Sequence, residues 1–384
     1  MNRWSPALAC AAVACAAAAC GGVAAGSKPV PAVAPALIET TLFLVGDAGA
    51  PDRANEPVLR ALAADLTGPA GKPMVIYLGD NVYPRGVPDT GAPGRREAIR
   101  RLDAQVDVAR EAGVPAIFIP GNHDWDRMGA DGWNSIRRQQ RRIAERGGKQ
   151  IRLLPEEGCP GPVVVDVGQR LRIIALDTQW WLHAGPKPKD PTSECRADKQ
   201  SEVTDSLRAD LEHTDTTRRV VVVGHHPLAS GGEHGGYFGA GDYFFPLRHV
   251  SRVFGWIPLP GLGAIYPEAR ASGISSQDIP GASNRRMRDA LEGAMLRHRP
   301  LVWASGHDHN LQVLAGRTAR HLLVSGSGIF GHGSRVVRLS ATRFASAAAG
   351  YMRLDVLLDG RVRLGVIQVN GQGQTTETYT RWLD

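Results

Sequence analysis

Five short segments of this chain carry residues able to do chemistry together: Asp47; Asp80 with Tyr83; Asn122 with His123; His225; and His307 with His309. Two carboxylates and a phenol are hard oxygen donors suited to a trivalent ion, whereas an amide and imidazoles suit a borderline divalent ion. Asp80 is the residue that two unlike ions would share. His307-x-His309 is the most specific single piece, because alternation along an extended segment sends both rings to one side. Taken singly, each residue has an ordinary reading. Asp47 would be a turn former, Asn122 a loop amide, Tyr83 a core aromatic, and His225 with its neighbour His226 satisfied core histidines. Placement lifts the set above these readings, since every segment follows an apolar run. Two-metal hydrolytic sites hold their ions about 3.5–4 Å apart and clamp both oxygens of an in-line displacement. Asp47, Asp80 and an ionised Tyr83 would set three negative charges against the five positive charges of a trivalent–divalent pair. The remainder matches a phosphate dianion. No cysteine lies in any of the five segments, which disfavours a structural zinc site.

The elements that must position these residues read as strands ending in polar turns. Thr41–Val45, Met74–Leu78, Ala116–Ile119, Arg219–Val223 and Leu301–Ala304 are short, apolar and rich in β-branched residues. Helical spacing is expected over Glu56–Leu66 with Pro57 in its first turn, over about 95–111, over Lys199–Glu212 and over Ser283–His298. Pro162–Val167 and Leu171–Leu176 form an expected hairpin across Gly168. Further strands are expected at Leu311–Leu314, His321–Val324, Val336–Leu339, Met352–Leu358 and Val362–Val369. Strands alternating with helices indicate a layered α/β domain, in which ligands sit beyond the carboxyl ends of the strands. No internal repeat is visible, and the chemistry spans the whole body, so one domain over 40–384 is expected.

The chain has 384 residues, with 43% apolar and 22% charged, a composition of globular proteins. Its formal charge is +7. One reading is arginine spread over solvated faces; the other is a positive field that favours anionic substrates or an anionic surface. The basic residues are not interleaved with aromatics, so nucleic-acid binding is not expected. Residues 1–20 read as an export signal, with a basic start, a small-residue apolar core and Cys20-Gly21-Gly22. Ala17-Ala18-Ala19-Cys20 resembles the lipobox of bacterial lipoproteins, which implies lipidation of Cys20 and a periplasmic or cell-envelope lipoprotein held to a membrane by its anchor. Ordinary cleavage just beyond or at Cys15, and hence secretion, is the alternative. Residues 21–39 read as a flexible tether. Cys159 and Cys195 are the two cysteines of the mature body, and in an oxidising compartment they are expected to pair.

Gly46-Asp47-x-Gly49, Gly79-Asp80-x-x-Tyr83, Gly121-Asn122-His123-Asp124, Val222-x-x-His225 and Gly306-His307-x-His309 resemble the five motifs of the purple acid phosphatases, a branch of the calcineurin-like metallophosphoesterases. The small tartrate-resistant type is the nearer match, through Gly306 to Gln312 and the Glu233-His234 pair. The resemblance spans about residues 41–330. It implies an α/β/β/α sandwich and hydrolysis of phosphate monoesters by attack of a metal-bound hydroxide. It further implies that Asp47, Tyr83 and His309 bind Fe(III), that Asp80 bridges, and that Asn122, His225 and His307 bind divalent iron, zinc or manganese. His123 and His234 would contact phosphate oxygens or protonate the leaving alkoxide, making them the catalytic pair. A phosphorylated small molecule or phosphoprotein would be the substrate.

Between His234 and Gly306 the chain departs from that pattern with an insertion at about 237–283, rich in glycine, proline and aromatics. A lid, a surface that meets a membrane or partner, and a plain surface insertion are its three readings. Two competing functions stay open. One is phosphodiester or nucleotide hydrolysis on the same scaffold, and the other is phosphate or metal binding at a cell surface without turnover.

Overall fold

The computed structural model describes residues 29–383 apart from 54, 69–70, 190–192, 246, 248–254 and 260–261. The export signal, Cys20 and the first part of the expected tether lie outside the described residues. Two seven-stranded sheets pack face to face. The first contains β1 (Ile38–Val45), β2 (Lys72–Tyr77), β3 (Ala116–Phe118) and β4 (Ile151–Leu153). It is completed by β12 (Gly350–Leu357), β13 (Val362–Val369) and β14 (Thr375–Trp382), in the order β14-β13-β12-β1-β2-β3-β4. The second contains β5 (Val163–Val167), β6 (Leu171–Ala175), β7 (Arg219–Val223), β8 (Val302–Ser305), β9 (Leu311–Ala315), β10 (His321–Ser325) and β11 (Thr342–Ser346), in the order β11-β9-β10-β8-β7-β6-β5.

Strands β1 to β4 are parallel, as are β6, β7, β8 and β10. Alternation along them explains their near-continuous apolar text. Leu42 and Leu44 of β1 join Ile76, Val221, Val223, Val302 and Leu354 between the sheets. Phe43 and Val45 face outward into the core shared with the helices. A strand covered on both faces has no polar side to show. On the outer face of the first sheet lie α1 (Pro57–Leu66), α2 (Arg95–Ala112) and α3 (Gly132–Gly147); α4 (Thr178–Leu182), α5 (Gln200–Glu212) and α8 (Ala282–Met295) belong to the second. The layers are therefore helix, sheet, sheet, helix, as expected for this fold class. Helix α1 starts where Glu56 accepts the Val58 amide and Pro57 takes the first turn, a position that needs no N–H.

Several elements differ from the sequence reading. Strand β1 opens at Ile38, and Val30 and Pro31, inside the expected tether, are bonded to Arg363 and Thr380 of the first sheet. No strand forms at Val336–Leu339: Val337 is instead pinned by its amide to the Gly231 carbonyl, and β11 follows it. The insertion holds two short helices, α6 (Ala240–Phe244) and α7 (Ile265–Ala271), then a turn-rich run into α8. Cys159 and Cys195 are joined as expected, with Cα atoms 5.6 Å apart. Closing a loop of 36 residues stabilises the fold by about 4 kcal/mol in the chain-entropy description. Among the described residues no helix is long and apolar enough to cross a membrane.

Candidate metal centre

All five segments converge at the carboxyl ends of the parallel strands. Asp47 follows β1 with φ of 59°, Asp80 follows β2 with φ of 55°, and His307 follows β8 with φ of 71°. Left-handed backbone is costly for residues with a side chain, and it persists where the surroundings over-determine it. Here they do. Asp47 Oδ2 accepts the His307 amide at 2.8 Å, and Asp80 Oδ1 accepts the His123 amide at 2.9 Å. Glycines make the approach possible: a Cβ on Gly121 would lie 2.3 Å from Asp80 Oδ1, and one on Gly306 would lie 2.5 Å from Asp47 Oδ2.

On one side of the centre the Tyr83 hydroxyl stands 3.1 Å from Asp47 Oδ1 and 3.0 Å from His309 Nε2, with His309 Nε2 3.5 Å from that same carboxylate oxygen. Burial opposes a charge on His309, but the hydrogen bond and charge of Asp47, helped by Asp80 and Asp308, push it up to about 9. The phenol of Tyr83 is raised well above its usual range, first by burial and then by Asp47 and Asp80. On the other side, Asn122 Oδ1 lies 3.0 Å from both His225 Nε2 and His307 Nδ1, which are 3.1 Å from each other. Asp80 sits between the groups, its Oδ1 3.5 Å from His225 Nε2. Burial alone would raise the Asp80 carboxyl, yet His225 and His123 bring it below its ordinary value.

The tautomers are set from outside. His225 Nδ1–H donates to the Leu78 carbonyl at 2.8 Å, and His307 Nε2–H donates to the Gln277 carbonyl at 2.9 Å. The inward nitrogens of both rings therefore carry lone pairs, and so does Asn122 Oδ1. Three buried acceptors face one another with no donor among them, an arrangement that a cation resolves. Ligand atoms of Asp47, Asp80 and His225 also fall within 4.8 Å of one another. The donor set thus fits two metal ions. His226 lies close by but is engaged elsewhere: Nδ1 pairs with Thr178 Oγ1 at 2.8 Å and Nε2 with Gln277 Oε1 at 2.9 Å.

His123 and His234 flank the centre. His123 Nδ1–H donates to the Pro84 carbonyl at 2.7 Å, leaving Nε2 3.8 Å from Asp80 Oδ2. The His234 ring lies against His307, tilted by 35° with centroids 3.7 Å apart, and its Nδ1 lies 2.7 Å from Asp278 Oδ1. Arg270 grips the same carboxylate through Nε at 2.8 Å and stands over the Phe238 ring.

Four residues that matter here have no role in the sequence reading. Asp124 is fully buried and collects the amides of Gly121, Asn81 and Val82, tying the Asp80 turn to the Asn122 turn. Its place directly after Asn122-His123 was the available signal. Arg270, Gln277 and Asp278 lie in the insertion, whose text has no period to reveal them. The insertion is therefore built into the centre over its second half and is not merely laid on the surface.

The fold and this cluster define a metallophosphoesterase. The chain belongs to the Calcineurin-like phosphoesterase family, which matches residues 40–311. No curated protein sequence matches it. Among solved structures it is similar to GAP50, the anchor in the inner membrane complex of Plasmodium, at 15% identity and a TM-score of 0.56, covering 90% of this chain and 89% of that one. It is similar to the purple acid phosphatase PPD1 of yellow lupin (Lupinus luteus) seeds at 12% identity and a TM-score of 0.51, covering 89% of this chain and about half (53%) of that one. A dimetal phosphatase from Danio rerio gives 12% identity and a TM-score of 0.51, covering 90% of this chain and 99% of that one. At these identities the likeness is one of fold.

Proposed function

We propose that this chain is a phosphomonoesterase of acid-phosphatase type, holding Fe(III) beside a divalent iron, zinc or manganese ion and working outside the cytoplasm. The carrying observation is the Tyr83 hydroxyl, 3.1 Å from Asp47 Oδ1 and 3.0 Å from His309 Nε2. A phenol among the ligands of one ion only is a hard, anionic donor chosen for a trivalent cation. Asp47, Tyr83 and His309 would hold that ion; Asn122, His225 and His307 would hold its divalent neighbour, with Asp80 between them. Two cations supply Lewis acidity to the phosphoryl oxygens and a strong nucleophile from water at neutral pH. His123 presents Nε2 to the substrate because its other nitrogen is committed to the Pro84 carbonyl. His234 is aimed by Asp278, which leaves its Nε2 for a phosphate oxygen or the departing alkoxide. The N-terminal signal and an anchor on Cys20 would place the enzyme at a cell envelope, in keeping with the Cys159–Cys195 bridge of an oxidising compartment.

Protein purified without added metal is expected to contain iron and to absorb in the visible through a tyrosinate-to-Fe(III) transition that Tyr83→Phe removes. Active, iron-containing protein with no such band would overturn the assignment. A panel of phosphomonoesters, phosphodiesters and nucleotides tests the reaction class, and faster turnover of a diester would replace the monoesterase reading.

A further inference from the structure

At the amino ends of the parallel strands, the pole opposite the metal centre, the surface gathers several arginines. Arg297, Arg299, Arg320 and His321, at the starts of β8 and β10, line an open cleft of about 410 Å³ with no carboxylate on it. Arg297, Arg299 and Arg320 are exposed, and none of the three makes an ion pair among the described residues. Arg170 and Arg219, at the starts of β6 and β7, spend their guanidinium groups on the carbonyls of Leu358 and Gly360 and also lack a carboxylate partner there. Of the nearby acids, Asp166 pairs with Arg172, Glu292 with Arg317 and Asp359 with Arg361, while Glu39 accepts the main-chain amides of Gln169 and Arg170. Leu37, Leu358 and Leu296, each more than half exposed, stand on this same pole.

The incoming chain enters here as well. Val30 and Pro31 are bonded to Thr380 and Arg363, level with Phe43 and Thr41 in the sheet register; the chain then reaches this pole at Ile38, and β1 runs about 25 Å to the metal centre. The expected export segment and Cys20 precede residue 29 in the sequence. Eight residues separate Cys20 from residue 29, a reach of about 30 Å at full extension.

We infer that this arginine-lined pole is a docking surface for an anionic phospholipid bilayer, seating the domain on the membrane with its metal centre turned outward to soluble phosphate esters. Guanidinium groups pair with phosphate in a bidentate fashion, and each basic side chain near an anionic leaflet adds attraction that salt removes. Exposed leucines at the same pole add apolar contact at the headgroup boundary. The inference goes beyond the phosphatase reading, since it concerns where the enzyme faces and not what it cleaves.

The test uses the full chain carrying Cys20→Ser, so that acylation is absent. Its partition is measured onto vesicles of phosphatidylcholine alone and of phosphatidylcholine with one quarter phosphatidylglycerol. The N-terminal segment, with Arg3 and Lys28, is common to every variant, so comparison among variants removes its contribution. A clear preference for the anionic vesicles is expected, lost between 50 and 500 mM salt. The triple variant Arg297→Glu/Arg299→Glu/Arg320→Glu should lower it by about a hundredfold, on the usual scale for three basic side chains at an anionic surface. Arg96→Glu/Arg141→Glu/Arg286→Glu changes the net charge equally on other faces and should leave it within about twofold. Turnover of a soluble monoester, unchanged in both variants, certifies their fold. Equal binding to the two vesicle types, or an equal loss in the matched control, overturns the inference. So does saturable binding of inorganic phosphate at the three arginines without vesicle preference, which would make the cleft a pocket for free anions.

Discussion

On the Asp47–Tyr83–His309 side of the centre, the candidate ligands arrive on short turns locked by left-handed residues and by amides that grip the carboxylates. On the Asn122–His225–His307 side, each ring is oriented through its outer nitrogen by a main-chain carbonyl, and one of those carbonyls belongs to the insertion. The first half is thus made from three of the motif loops alone. The second half is completed by a segment outside those motifs, the insertion. Changes in the insertion should reach the nitrogen-rich side and spare the oxygen-rich one.

The largest effect should come from the residue common to both halves. Asp80→Ala is expected to abolish turnover and strip both metals together, read by metal analysis beside activity; retained metal with full activity would dissolve the two-sided scheme. Next is His123→Ala, which removes no ligand. Turnover should fall by roughly 10²–10⁴ with metal content intact, the scale of lost proton transfer. Asp278→Asn weakens the carboxylate that holds both His234 and Arg270, and a loss of about tenfold is expected on alkyl phosphates with poor leaving groups. Aryl phosphates should suffer less, because their leaving groups need no proton; an equal loss on both would make Asp278 a structural residue only. The smallest effect belongs to Gln277→Ala. The carbonyl that orients His307 survives this change, so metal content should hold and turnover should drop by no more than about threefold, on the scale of one neutral hydrogen bond. Loss of the divalent ion there would mean that the side chain, not the main chain, supports that half.

Much of this was legible in the text because ligand and strand are written together. A run such as Met74–Leu78 can only be a covered strand, and the residue after its glycine must then surface at the sheet's end. The same logic located Asp47, Asn122, His225 and His307. It failed where burial is achieved without an apolar pattern. Helix α3 has few hydrophobic residues and buries Arg138 and Gln139 beside Ile136 and Ile143, so a search for apolar runs passes over it although its buried face has helical spacing. Strand β14 is an edge strand of alternating threonines, and the fold presents most of them to water. Val336–Leu339 errs the other way: its composition suits a strand, but its bonds go to the Gly231 carbonyl and, through Leu339, to the Thr342 turn instead of to a neighbouring strand. Arg270 and Asp278 escaped for a simpler reason. An ion pair formed across eight residues of irregular chain leaves no spacing rule to read.

Gly121 offers no ligand atom of its own, yet its missing methyl group has genetic weight. With 2.3 Å available between a new Cβ and the Asp80 carboxylate, even alanine would have to push that side chain aside. A variant at 121 would then copy the phenotype of a damaged aspartate more than forty residues away in the chain. Redesign of this centre must accordingly treat the pair as one inherited unit, because neither can drift while the other stands still.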